Sequence, residues 1–201
     1  PELDQNLFTR RKFLAQATID SCDGLTTPSH WLLEVMQKSF KLPAAARVIE
    51  NGLPNSLLSR YTRDQAETNT TTPRLNRFGF FGRASERKGL LLLLQACYKL
   101  NRTHPNAFEL HIHGGGLEQE PAAIQHRIQT LIAACGDHIH LHGRYRQDDI
   151  PELMAQIDWV IVPSIWWENS PVVIQEAFAY HKPVIGSNHG GIAEKINGRG
   201  G

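Results

Sequence analysis

Four side chains in this sequence have the types and spacing to handle a charged, oxygen-rich ligand: Arg83, Lys88, Glu168 and Glu176. Glu168 lies just ahead of a segment with helical patterning, and Glu176 lies inside it, on the face of Val172 and Val173. At 1.5 Å rise per residue, Glu176 sits roughly 7–8 Å along the axis from Pro171. Ser170, Pro171 and Val172 occupy the helix start, with Ser170 read as the N-cap and Pro171 as the first helical residue, where its missing N–H costs nothing. The free N–H groups of such a start favour an anion. The unit therefore offers a carboxylate for sugar hydroxyls, an anion site, and a second carboxylate able to accept two hydrogen bonds from a diol. Taken alone, the two acids read as solvated glutamates. The basic pair stands in Gly82-Arg83-Ala84-Ser85-Glu86-Arg87-Lys88-Gly89. Gly82 lets a backbone turn approach a ligand, and Gly89 lets the next helix begin close by. Arg83 and Lys88 then place two cations by one strand end, where they would stabilise the charge gained by a departing diphosphate.

The elements that must position these residues alternate in type. From Leu75 onward the pattern predicts strands at Phe78–Phe81, Phe108–His113, Ile139–Leu141, Trp159–Val162 and Pro183–Gly186. Helices are predicted between them at Leu90–Leu100, Pro121–Ala134, Ile150–Ile157 and Pro171 to about Tyr180, with another beginning near Ile192. Strands separated by helices of this length imply right-handed crossovers and a parallel sheet, which binds ligands at the carboxyl ends of its strands. Ahead of this, Leu3 to about Ala17 reads as a helix with Arg10-Arg11-Lys12 on one face, Asp23–Pro28 as a turn and short strand, and Arg47–Glu50 as another strand. Ser29 is placed as the cap of a helix through Phe40. Thr62–Pro73 is polar, without apolar period, and reads as linker. The expected organisation is residues 1–54 as the end of one half, 55–74 as linker, and 75–201 as a second half, the whole a fragment truncated at its C-terminus.

Composition narrows the classes. A hydrophobic content of 41% over 201 residues supports a globular core, and a formal charge of +1 gives no basic field for nucleic acid. Cys22, Cys97 and Cys135 lack metal or C-x-x-C spacing and read as idle thiols of a reducing compartment. No apolar run reaches the ~18–20 residues of a membrane span, and the first residues lack a signal pattern, so a cytoplasmic place is expected. The Asn69 and Asn101 sequons read as chance. His138, His140 and His142 alternate as on one face of a strand and could join His111 and His113 in a metal site; without H-E-x-x-H they read as polar strand-face residues, and no metal is expected. His113-Gly114-Gly115-Gly116 looks like a lipase oxyanion turn, but the chain has no G-x-S-x-G elbow. An NAD-dependent Rossmann enzyme lacks its G-x-G-x-x-G turn here.

Glu168 and Glu176, separated by seven residues within PSIWWENSPVVIQEAFAYHKPVIGS, resemble the E-x7-E signature of family-4 retaining glycosyltransferases with the GT-B fold. Gly82–Gly89 resembles that family's G-R-x4-K-G diphosphate motif. Thr27-Pro28-Ser29 and Ile49–Gly52 are similar to features of its acceptor-side half. The resemblance covers Leu75–Gly198 and, loosely, Asp20–Leu53. It implies the donor-binding half of a GT-B enzyme plus a short segment of the other half. It further implies transfer of a hexose from a UDP- or GDP-linked sugar to a hydroxyl of a glycan or lipid-linked acceptor, with retention and without metal or cofactor. Arg83 and Lys88 would take the diphosphate, Glu168 the donor sugar, and Glu176 the ribose. Gly82 and Gly114 would line the turns, the Ser170–Val172 backbone would face the sugar and phosphate, and Arg144 and Tyr145 would lie by the base. Peripheral membrane association at the cytoplasmic face is a family-level expectation, as is negligible turnover by the fragment alone. The chain departs from the family at Gly115, where an acidic residue is usual, at Asn169-Ser170-Pro171, where a glycine-containing step is common, and at His181, which replaces a helix-ending glycine and is expected to change the turn. Trp166 and Trp167 could line a sugar subsite but read as loop packing. The rivals are a non-catalytic nucleotide-sugar-binding module and a glycoside hydrolase using Glu168 and Glu176.

Overall fold

The computed structural model describes residues 5–54 and 76–199. The expected linker at 55–74, including the Asn69 sequon, lies outside the described residues, as does Leu3. The chain divides into two compact units, Pro1–Asn51 and Gly52–Gly201.

The first unit holds helix α1 (Gln5–Asp20), strand β1 (Gly24–Thr27), helix α2 (His30–Ser39) and strand β2 (Ala45–Val48). β1 and β2 pair in parallel, Gly24 facing Ala45. Ser29 caps α2 as its type predicts: Ser29 Oγ accepts from the Leu32 N–H at 3.2 Å. The second strand starts two residues earlier than its sequence suggests and stops at Val48, although Ile49 N still donates to Thr27 O at 2.9 Å.

The second unit is the expected Rossmann-like α/β layer structure. Its elements are β3 (Arg77–Phe81), α3 (Leu90–Thr103), β4 (Glu109–His113), α4 (Ala122–Cys135), β5 (Ile139–Gly143), α5 (Ile150–Ala155), β6 (Trp159–Val162), α6 (Val172–Ala179), β7 (Val184–Gly186) and α7 (Gly190–Glu194). The five strands are parallel in the order β5-β4-β3-β6-β7. The chain thus runs outward from β3 to β5, returns to the other side of β3 as β6, and continues to β7. Alternation along each strand sends side chains to two separate cores. Phe80, Leu110 and Ile112 join Leu90, Leu94 and Ile128 of α3 and α4. Phe81, Val160 and Val162 join Ile150, Met154, Ile174 and Ile192 of α5, α6 and α7. Each such side chain, fully buried, contributes about 1.5–3 kcal/mol.

Three local expectations are corrected. His138 belongs to a 3-10 turn, Gly136–His138, so only His140 and His142 lie on β5, which runs on to Gly143. α6 begins at Val172. Pro171 rather than Ser170 is its N-cap, held extended at φ −65° and ψ 118°, and no side chain closes the cap. His181 takes the left-handed conformation itself (φ 51°), with His181 N bonded to Phe178 O and Lys182 N to Ala177 O, so the helix ends in a turn of the glycine type rather than a changed one. Among the described residues no helix is long and apolar enough to cross a membrane.

Candidate functional site

The order of strands makes the β3–β6 boundary a topological switch point, where the loops leaving two adjacent strands run in opposite directions and open a crevice. Both chemistry-bearing loops leave from here: residues 82–89 after β3 and 163–171 after β6. They are zipped together. Arg87 O accepts from Ile165 N at 3.0 Å and Trp166 N at 3.1 Å, and the Ser164 hydroxyl lies 3.1 Å from the same oxygen. Gly89, at φ 77°, closes against Pro163; a Cβ there would fall 1.8 Å from Pro163 O. From the other side α7 holds the Glu168 segment: Gly191 N donates to Glu168 O at 2.8 Å, and a Cβ on Gly191 would fall 1.9 Å from Asn169 O. His189 Nε2 sits 2.9 Å from Ser164 O.

A pocket of about 690 Å³ opens between these loops, walled by Arg83, Arg87, Lys88, Glu120, Trp166 and Glu168 among others. Lys88 Nζ donates to Glu168 Oε1 at 2.6 Å. The Ser164 hydroxyl is 3.0 Å from the same oxygen and fixes the carboxylate from behind when its one proton points there. Arg83 has no carboxylate partner among the described residues, and its stem lies against Gly116, where a Cβ would come within 2.9 Å of Arg83 Cγ. The result is a hollow with three cations, Arg83, Arg87 and Lys88, on its wall and one carboxylate, Glu168, oriented by Lys88 and Ser164, a set suited to an anionic ligand that also carries hydroxyls.

The glycine turns beyond β3, β4 and β5 stack on one another. Gly82 N donates to His113 O at 2.9 Å, and Gly114 N to Gly143 O at 2.7 Å. A Cβ on Gly114 would fall 1.6 Å from Gly82 O, so only glycine fits. Gly115, the position where an acid is usual in the family, is packed by Arg144, whose Cγ a Cβ would meet at 2.5 Å. A carboxylate reaches this turn from elsewhere: Glu118 Oε2 accepts from Gly116 N at 3.0 Å, and Glu118 Oε1 from the Arg144 guanidinium at 3.1 Å.

Glu176 is not on the pocket wall. The sequence places it in one crevice with Arg83, Lys88 and Glu168; those three line the pocket, and Glu176 is buried on α6. The reason is its place in the second turn of α6, between Ile174 and Ala177 of the buried face. Burial raises the pKa of Glu176. Tyr145 is pushed up to about 12 by burial and then by the charge of Glu176. Tyr145 also meets Phe81 edge-on at 5.8 Å. Gly82, Gly114, Arg144, Tyr145, Ser170, Pro171 and Val172 do not line the pocket either. The tryptophans divide. Trp166 lines the hollow, half-exposed under the Arg87 guanidinium at 4.8 Å, whereas Trp167 packs edge-on to His189 at 5.1 Å. Arg87, Glu120 and Pro121 escaped sequence reading. Their only signal is adjacency to the G-R-x4-K-G loop and to the entry of α4.

Residues 76–201 match the family of glycosyl transferases group 1. The putative glycosyltransferase YtcC of Bacillus subtilis is 26% identical over 209 residues, 96% of this chain and 51% of that protein. The lipopolysaccharide 1,2-N-acetylglucosaminetransferase of Salmonella typhimurium is 30% identical over 182 residues, 88% of this chain and 47% of that protein. The chain thus spans about half the length of these curated relatives. Among solved structures, Anabaena HepE in complex with UDP-glucose superposes with a TM-score of 0.69 at 22% identity, over 92% of this chain and 50% of that one. Sucrose-phosphate synthase from Thermosynechococcus elongatus gives 0.70 at 22% identity, over 92% and 45%. At such identity these likenesses establish the fold, GT-B. With the match over its second unit added to that architecture, the chain belongs to the group 1 glycosyltransferases.

Proposed function

We propose that the protein to which this chain belongs transfers a hexose from a UDP- or GDP-linked sugar to a hydroxyl of a glycan or lipid-linked acceptor, with retention of anomeric configuration. The observation that carries this reading is the Lys88–Glu168 contact on the wall of a switch-point pocket that Arg83 shares. In this reading Arg83 and Lys88 bind the diphosphate and stabilise the negative charge it gains as the bond to the anomeric carbon breaks. Two fixed cations in a partly desolvated crevice need no metal for that task. Lys88 has three N–H donors and can keep Glu168 while it binds phosphate oxygen. Glu168 accepts from donor-sugar hydroxyls and stabilises positive character at the anomeric centre, and the acceptor hydroxyl attacks from the leaving-group face. Glu176 accepts the two hydroxyls of the ribose. The Gly82 and Gly114 turns, Arg144 and Tyr145 frame the base. The Ser170–Val172 segment faces the sugar and phosphate with the N–H groups that Pro171 lacks. UDP-glucose in the similar HepE structure supports a nucleotide-sugar donor. The lipopolysaccharide enzyme among the relatives supports a role in bacterial glycan synthesis.

Calorimetry of the chain against UDP, GDP and ADP tests the donor side. Saturable binding of UDP or GDP, weakened at least tenfold by Arg83→Ala, is expected from the loss of a charged donor. Binding of none of the three, or unchanged binding by Arg83→Ala, overturns the assignment. With the full-length protein, NMR of the first-formed product must show the donor's anomeric configuration. Release of sugar from a simple glycoside without nucleotide would point instead to a hydrolase.

A further inference from the structure

A second cluster of chemistry-bearing side chains lies outside the pocket, on the sheet face that carries His111 and His113. We propose that His111, His113 and His142 form a binding site for one divalent transition-metal ion of the zinc class, bridging β4 and the edge strand β5. This site does not depend on the transferase reading. Two H-x-H pairs, His111/His113 and His140/His142, put all four rings on one face of neighbouring parallel strands. Regular pairing would set them opposite one another as two rungs. It does so once, His111 facing His140. The register then shifts between Ile112 and His113, so that Gly143 faces His113 and His142 is left over. The bulge delivers His142 between the two histidines of β4.

One spacing is close to that of ligation. His111 Nδ1 and His142 Nε2 are 3.0 Å apart, and one ring nitrogen from each of the three lies within 4.8 Å of the others. Tetrahedral zinc, with Zn–N of about 2.0–2.1 Å, sets its ligand atoms about 3.3 Å apart. Three imidazoles without thiolate suit zinc, cobalt, nickel or copper, and the solvent side leaves room for water as a fourth ligand. His113 is buried at 1% exposure, yet its Nε2 has no hydrogen-bond partner. Buried polar atoms are seldom left so, and an ion is one of the standard reasons when they are. The rings of His113 and His142 stack nearly parallel, with centroids 4.4 Å apart. Their lone pairs converge only when His142, exposed on the edge strand, turns about its side-chain bonds, which favours micromolar rather than tighter affinity. Burial first, then the neighbouring imidazoles, lower the pKa of His113 to about 4, and His111 and His142 are lowered too. Occupied, the site would pin β5 to β4 directly beneath the Gly114 and Gly143 turns.

The chain, prepared without a histidine tag, is titrated with Co²⁺ and followed by its visible absorption, with Zn²⁺ then added in competition. One equivalent bound in the micromolar range, with the intense band of a tetrahedral ion, is expected, together with a rise in Tm on adding Zn²⁺. His142→Ala, a change at an exposed edge position, should weaken binding at least tenfold and abolish the Tm shift, while His140→Ala leaves both as they are. Absence of stoichiometric binding below millimolar metal overturns the proposal and leaves a stack of neutral imidazoles. Unchanged binding by His142→Ala overturns it too. Loss on His140→Ala alone would move the ion to Glu109, His111 and His140, which also lie within 4.8 Å of one another.

Discussion

Two ion pairs tie β3 and its following loop to β6 and its following loop, and they are built in opposite ways. At the amino ends Arg77 and Asp158 share four hydrogen bonds. Asp158 Oδ2 accepts from the Arg77 backbone N–H at 2.9 Å and from Nε at 3.3 Å, Oδ1 accepts from the guanidinium at 3.0 Å, and Asp158 N donates to Arg77 O at 2.8 Å. At the carboxyl ends Lys88 and Glu168 share one contact of 2.6 Å, and Arg83, on the same pocket wall, has no carboxylate partner among the described residues. The backbone agrees, because β3 and β6 keep register only at Phe78–Trp159 and Gly79–Val160. One end of the strand pair is closed and spends its charges on itself. The other end leaves donors over, and a group with donors to spare is one that a ligand can recruit.

The largest effect that would test this contrast lies at the open end. Lys88→Met or Arg83→Ala in the full-length protein should lower kcat/KM by about 100- to 1,000-fold, the usual cost of removing one donor aimed at developing charge. Stability should change by no more than about 1 kcal/mol, since the ion pair is partly solvated. Urea unfolding of the same variants checks this, and a loss of several kcal/mol would make the open end structural after all. At the closed end Asp158→Ala should do the reverse. It strands the Arg77 N–H and guanidinium and should cost about 2 kcal/mol, with kcat/KM kept at a temperature well below Tm. Burial alone would raise the pKa of Asp158, but the hydrogen bonds and charge of Arg77 hold it below the usual carboxylate value. Its stabilisation is therefore complete above the unfolded pKa of about 3.9 and is lost as pH falls through the lower folded value. The gap between wild type and Asp158→Ala should narrow on acidification below pH ~4, which acid unfolding followed by circular dichroism measures. A gap that stays constant would mean that Asp158 acts by packing and not by charge.

What could be read before the structure was whatever is local along the chain. The cation loop Gly82–Gly89 and the Glu168 segment are each set by a few contiguous residues, and parallel crossovers force both to the same sheet edge. Matters that depend on register or on side-chain direction were out of reach. A one-residue bulge after Ile112 decides where His142 lies, and no residue type announces it. Gly115 suggests a missing acid, but the 3-10 turn at Leu117–Gln119 brings Glu118 back to the same backbone. The seven-residue spacing of Glu168 and Glu176 suggests joint occupancy of one crevice, but it does not tell that Glu176 falls on the buried face of α6 and outside the pocket lining. Trp166 and Trp167 are alike in sequence, and only the hold of α7 on the loop separates the one that lines the pocket from the one that packs.

Glu176 supplies the smallest test, because it belongs to neither end: a buried carboxylate that forms no ion pair among the described residues. Burial raises its folded pKa above the unfolded value of about 4.3. Its contribution to stability is thus fully present below the unfolded pKa and is lost as pH rises through the folded one, after which the ionised group is a net cost. Glu176→Gln removes that cost and keeps the shape. The variant should match wild type near pH 3.5 and exceed it by on the order of 1 kcal/mol at pH 8, measured by urea unfolding at the two pH values. In the same variant, affinity for the nucleoside diphosphate should fall by about tenfold, as expected when a charged acceptor of two hydroxyl bonds becomes a neutral one. A variant that gains stability and keeps its affinity would detach Glu176 from the ribose and leave the donor to the three side chains at the open end. A variant that gains nothing at pH 8 would show that the carboxylate already has a partner, and that the contrast between closed and open ends extends one residue further along α6.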